Sequence, residues 1–345
     1  MKKRIDWLDT LKGLGMFFVI WGHAFPGTEY VIRKFIYTFH MPLFFFSSGI
    51  NAKNDLLLDF KSFVKKKTKQ LIVPYFIINI IGLFITIILT KLEIIKYISI
   101  KEYIIGIFYS NEMVFEAPIG ATWFLATLFL VQLLFYLISK ISKDDKDLFK
   151  FTFLCAIIGY VNSLSSYKFH SPFHLETVFT AVFFYFLGYI FFKYIHLFTK
   201  LFSKKYLMCC LGILLLGISL LCIDVNSKIS LHANIYGSII LFYISSLSLI
   251  FGLILFINTF LKKSYFFRKV GEYSIFFLIY HVFLISIYRH FFPIFLSNNF
   301  YFFLLAVIIT ILMFPLSFLV HKKIPILIGK TKLFNRFVDN FFDKI

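Results

Sequence analysis

Charge is what this sequence has least of. Asp, Glu, Lys and Arg make up 15% of its 345 residues, where a soluble domain carries about 25%. Acid is scarcer still, with 17 Asp and Glu against 36 Lys and Arg. There are four cysteines, Cys155, Cys209, Cys210 and Cys222, and none forms a CxxC or a Cys/His pair at metal-binding spacing. A disulfide framework and a zinc motif are therefore excluded, and no metal is expected. No small-residue cleavage site follows Met1-Lys2-Lys3-Arg4, so the N-terminal segment reads as an uncleaved first helix rather than a signal peptide. What fills the space instead is hydrocarbon: hydrophobic residues reach 60%, 51 of the residues are Phe, and the mean hydropathy is +0.85. Lipid must cover most of such a surface.

The net charge of +19 would suit a nucleic-acid binder if it lay on a soluble face. It lies instead in short segments between apolar runs, which argues against nucleic acid and for membrane topology. Those runs fall at about 7–25, 35–51, 71–90, 119–138, 151–166, 177–195, 206–223, 235–260, 273–292 and 301–320. Most approach the ~20 residues that cross ~30 Å of hydrocarbon as a helix. The fifth is short, and the eighth is long, with Gly237 and Gly252 as expected bending points. With Met1 in the cytoplasm, inside segments hold 27 of the 36 Lys and Arg and outside segments hold 8, Lys12 lying within the first run. One frame across ten spans fits the positive-inside rule. The expected fold is an all-α integral membrane bundle of about ten helices, both termini cytoplasmic. It forms a single domain over 1–345 with a tail from about 321, and the segment 91–118 covers the outer face.

Ionisable residues inside a span are costly, so each is a candidate for function. Lys12 and His23, eleven residues apart in the first run, share one helical face at roughly 16 Å separation. The face thus runs from an anion-binding cation to a titratable base, although snorkelling and a carbonyl-bonded His would account for each residue alone. His40 sits in Phe39-His40-Met41-Pro42, where Pro42 frees a backbone carbonyl and a cavity can open. The run Lys65-Lys66-Lys67-Thr68-Lys69 suits anionic lipid or a polyphosphate arriving from the cytoplasm. Trp123 fits an aromatic belt or an acceptor contact, and His281 lies mid-span. His170, His174, His196, His232, His290 and His321 lie in loops or near span ends and receive no role.

The ordered set Asp9-x-x-Lys12-Gly13, Gly22-His23, Phe39-His40-Met41-Pro42-Leu43-Phe44-Phe45 and Ser48-Gly49 resembles acyltransferase family 3. The basic segment before Pro74-Tyr75, then Trp123-Phe124-Leu125, Phe186-Leu187-Gly188-Tyr189 and Gly271-x-x-Ser274 with His281, continue it in order. The resemblance implies a bacterial cytoplasmic-membrane O-acyltransferase that moves an acyl group, usually acetyl, from cytoplasmic acetyl-CoA to a hydroxyl. Cell-surface or lipid-linked carbohydrate is the acceptor class it implies. On it, His23 matches the essential histidine, acting as general base or as acyl-carrying nucleophile. His40 orients the acceptor or stabilises the oxyanion, and Trp123 and His281 contact substrate. Lys12 stands where relatives often have Arg, which keeps the charge but loses the bidentate fork. Gln70 departs from the basic residue often found before Pro-Tyr, leaving Lys66 and Lys69 as the expected donor contacts. The competing reading is a transporter or flippase for a saccharide or small solute, against which no internal repeat relates the two halves.

Overall fold

The computed structural model describes residues 4–27, 30–95, 99–109, 119–165, 171–198, 204–227, 229–292 and 298–344. Among these, helices account for nearly everything and no strand forms. In chain order the long helices are α1 (Asp6–Ala24), α2 (Val31–Gly49), α3 (Phe60–Lys67), α4 (Val73–Lys91), α5 (Ile100–Tyr109), α6 (Trp123–Ile141) and α7 (Asp145–Ser163). They continue as α8 (Leu175–Lys193), α9 (Lys205–Val225), α10 (Ile239–Phe256), α11 (Tyr265–Glu272), α12 (Ser274–Phe291), α13 (Asn299–Lys323) and α14 (Lys332–Lys344). By length and apolar composition, seven helices among the described residues qualify to cross a membrane, so the chain is a multi-pass membrane protein.

Each apolar run of the sequence forms one long helix, for the reason expected: Leu, Ile and Phe leave the backbone no partner in lipid except itself. The ends are set by side chains. Asp59, Asp144, Ser238, Ser264 and Asn298 each accept a backbone N–H of the turn they open. The fifth run is longer than it reads, because its helix begins in the polar turn at Asp145. The eighth is unbroken at Gly252. Gly237, at φ +61°, ends the preceding loop, the helix starts after it, and the backbone widens into a π turn only at Ile257–Leu261.

α1 is the central element, packed against α2, α11, α12 and α13, while α2 packs on α8 and α10. Glycines make two of these crossings possible. A Cβ on Gly13 would collide with the Phe267 carbonyl of α11, and one on Gly271 with the Asp9 carbonyl of α1. Gly49 and Gly188 play the same part between α2 and α8, against the carbonyls of Tyr185 and Phe46. Pro42 removes the N–H that would reach Thr38 O, and Ser246 Oγ of α10 donates to that oxygen at 2.7 Å. The helix therefore runs on through the proline.

Four amphipathic helices were not separate elements in the sequence. α5 lies beside α4, with Tyr103 donating to Asn79 O at 3.2 Å and Tyr75 to Ile107 O at 2.6 Å. The segment expected to cover the outer face is described only at 91–95 and 99–109, and its helix lies against α4. α14, within the expected tail, docks through Val338 on Val73 and Ile77 and through ion pairs described below.

Candidate functional site

One end of the bundle holds an open cavity of about 700 Å³. α1 brings His23 to its wall, α2 brings Arg33, Lys34, Tyr37 and His40, and α6 brings Trp123. The loop 229–235 adds His232 to the lining. Volume and lining suit a ligand of saccharide size more than a solvent crevice.

His23 sits in the last turn of α1, half-buried. The end of that helix is fixed from α12, since Arg289 Nη2 donates to His23 O and Ala24 O, both at 3.0 Å. This caps carbonyls that have no partner within the helix. Behind His23 stands His281, fully buried, with ring centroids 4.9 Å apart and planes at 69°. His40 is buried one turn after Tyr37, whose ring lies 4.8 Å from His40 and 6.0 Å from His23.

Two of these imidazoles have a defined proton. His40 Nδ1 meets Ile36 O at 2.9 Å, and His281 Nδ1 meets Phe277 O at 2.9 Å. A carbonyl can only accept, so each Nδ1 donates and each neutral ring keeps a lone pair on Nε2. His281 Nε2 has no hydrogen-bond partner among the described residues. A ring with one nitrogen anchored and the other an acceptor can orient a neighbouring imidazole or receive a proton.

Of the sequence candidates, His23, His40 and Trp123 line the cavity, and His281 lies directly behind His23. Trp123 is buried against His232 at 4.9 Å and His174 at 5.3 Å, so it serves the cavity wall and not a lipid-facing belt. Lys12, half-buried on α1 three turns before His23, is not on that wall. Lys66 and Lys69 lie at the far end of the bundle, each in an ion pair. Lys66 and Lys67 share Asp55 at 2.6 Å each, and Lys69 and Lys65 meet Asp339 of α14 at 2.5 and 3.0 Å. Burial pushes the Asp55 carboxyl up, but Lys67 and Lys66 outweigh it and hold it below the usual Asp range. Hydrogen bonds from Lys69 and Lys65 likewise hold Asp339 low.

Arg33, Tyr37, Arg289, His174 and His232 also gather at or beside the cavity, and none of them stands out in the sequence. The two arginines read as topology charges and the two histidines as loop residues. His174 reaches Trp123 only because Phe173 and His174 both adopt left-handed backbone (φ 57° and 54°), placing the ring 4.4 Å from His232. No local signal announces that turn. His170 lies outside the described residues. Among those described, no group of three His, Cys, Asp or Glu side chains is placed to hold a metal ion.

A family model described as an acyltransferase domain matches residues 5–322, which take in every element from α1 to nearly the end of α13. No curated protein and no solved structure matches the chain.

Proposed function

The chain belongs to acyltransferase family 3, and from that premise we propose that it is an O-acyltransferase carrying acetyl from cytoplasmic acetyl-CoA to a hydroxyl of a cell-surface or lipid-linked carbohydrate. The observation that carries this reading is the meeting of His23 and His40, with His281 behind, at a saccharide-sized cavity. His23 takes the acceptor's hydroxyl proton as the oxygen attacks the thioester carbonyl. The C–S bond then breaks and CoA leaves as a thiolate that is reprotonated. A base of this kind contributes about 10²–10⁴-fold. His40 and Trp123 hold the acceptor. His281 acts behind the cavity wall, so we assign it to positioning His23 in place of the substrate contact expected from sequence.

In this account the bundle has ten spans. α1, α2 and α7, each 19 residues long, join the seven most apolar helices, and charges such as Asp9, Arg33 and Lys150 account for their lower hydropathy. Both termini then face the cytoplasm of a bacterium, and the chain 1–345 is one acyltransferase domain. The donor enters past Lys66 and Lys69, whose carboxylate partners its phosphates replace, and Lys12 continues the path along α1 toward His23.

The test is transfer of radiolabelled acetyl from acetyl-CoA to envelope glycans in membranes with and without the protein. Label in an alkali-labile ester is expected. Solute flux with no acyl turnover would mean a transporter instead.

A further inference from the structure

At the end of the bundle remote from the cavity, seven basic side chains of α3, α11 and the segments beside them are paired with carboxylates. Lys65, Lys66, Lys67 and Lys69 meet Asp55, Asp339 or Asp343, and Arg4, Arg268 and Lys269 meet Asp9, Asp6 and Glu272. At the cavity end Glu176 lies 3.6 Å from His174, but Arg33 and Lys34 are differently placed. Arg33 and Lys34 line the cavity; among the described residues no carboxylate is on its wall, and neither joins an ion pair.

Their remaining contacts hold them in place without neutralising them. The Arg33 guanidinium lies 4.2 Å from the centre of the Tyr37 ring, a cation–π contact that fixes a plane and leaves N–H groups over. Lys34 Nζ spends one proton on Asn226 O at 2.6 Å, in the stretch that leads into the loop 229–235, and retains two more donors. Arg33 Nε is buried with no hydrogen-bond partner among the described residues. Arg289 adds a further positive charge close by, its own donors turned to the end of α1. Cations gathered with no carboxylate partner among the described residues, beside low-dielectric walls, favour the arrival of an anion.

We propose that Arg33 and Lys34 form an oxyanion-binding subsite of the cavity, so that the acceptor is a hydroxyl compound bearing a carboxylate or a phosphate. This rests on the cavity being the acceptor site. Tyr37 separates Arg33 from the imidazoles by a single ring, since it also faces His23 and His40. An acceptor anchored at Arg33 thus presents a hydroxyl on the same or the adjoining sugar to His23. Uronic acids and sugar phosphates both satisfy this geometry, and the carboxylate or phosphate would accept two N–H groups from Arg33 and one from Lys34.

Binding by calorimetry, on purified protein in nanodiscs of zwitterionic lipid, tests this without turnover. The probes are methyl glucuronide, glucose 1-phosphate, the neutral methyl glucoside, and CoA. At least one anionic sugar is expected to bind about tenfold or more tighter than the glucoside, and more weakly as salt rises. Arg33→Gln should remove that preference, lowering the anionic sugar's affinity about 10- to 100-fold with little change for the glucoside, while Arg33→Lys keeps part of it. Glucuronide or phosphate as the better ligand names the anion, and either supports the subsite. Equal binding of glucoside and anionic sugars, unchanged binding by Arg33→Gln, or no anion-dependent sugar binding at all overturns it. CoA binding that alone depends on Arg33 also overturns it, by giving the cations to the donor. Acetyl transfer to an anionic glycan at the wild-type rate in Arg33→Gln would end this inference and leave the acyltransferase reading standing.

Discussion

The imidazoles of His23 and His281 meet edge to face, 4.9 Å between centroids, although one comes from the first helix and the other from α12. Arg289, two turns beyond His281 on the same helix, donates to His23 O, so α12 holds both the ring and the backbone of His23. A group that orients a catalytic side chain is worth about 10- to 100-fold. We expect His281→Ala to lower kcat by that factor with KM for acyl-CoA nearly unchanged, and His281→Gln, which keeps an acceptor, to recover part of it. An equal loss of binding and turnover, unrelieved by Gln, would show that His281 supports the fold and not His23.

The bond from Ser246 to Thr38 O exists because Pro42 has no N–H to give. Leaving that buried carbonyl unsatisfied costs about 1–3 kcal/mol. Thermal unfolding should therefore show Ser246→Ala clearly destabilised. In a Pro42→Ala background, where residue 42 donates to the same oxygen, the cost of Ser246→Ala should fall sharply. An identical cost in both backgrounds would rule out the exchange of donors.

Gly188 meets the Phe46 carbonyl so closely that a methyl group has no space. Backbone cannot swing aside as a side chain can, so Gly188→Ala should cost at least about 3 kcal/mol, the upper part of the overpacking range. Gly217, with open space around it, is the control. Comparable melting temperatures for Gly188→Ala and Gly217→Ala would contradict the close crossing.

These examples also mark what the sequence discloses. Ten apolar runs predict ten helices because hydrocarbon leaves each segment a single choice, and no distant contact is needed to make it. Pro42 announces a free carbonyl, but only the fold names Ser246 as its donor. His23, His40 and His281 stand out because titratable groups in spans are costly. Arg33 does not, since near a span end a topology charge looks the same as a ligand. α14 stayed hidden in the tail because its docking depends on Asp339 and Asp343 finding Lys65 and Lys69, across most of the chain.

Asp55 joins Lys66 and Lys67, and Lys67 is itself buried. Removing one member of such a cluster leaves a buried charge, which costs about 3 kcal/mol at the lower end of the range for buried pairs. Asp55→Asn should lower the melting temperature, and adding Lys67→Met should restore much of it. The pH sense follows from the carboxyl being held below its ordinary value. Its contribution is whole above the unfolded Asp pKa of about 3.9 and fades as pH falls through the lower folded value. The gap between wild type and Asp55→Asn should hold at neutral pH and close on acidification below about pH 4. A gap that widens there would reverse the assignment.

The central claim is that acyl transfer takes place at His23, and one comparison tests it most directly. Transfer of acetyl from acetyl-CoA is measured in purified wild type and His23→Ala, matched for amount and melting temperature. We predict a loss of about 10²–10⁴-fold in kcat/KM. Transfer by His23→Ala at the wild-type rate would contradict the account and place the chemistry elsewhere in the bundle.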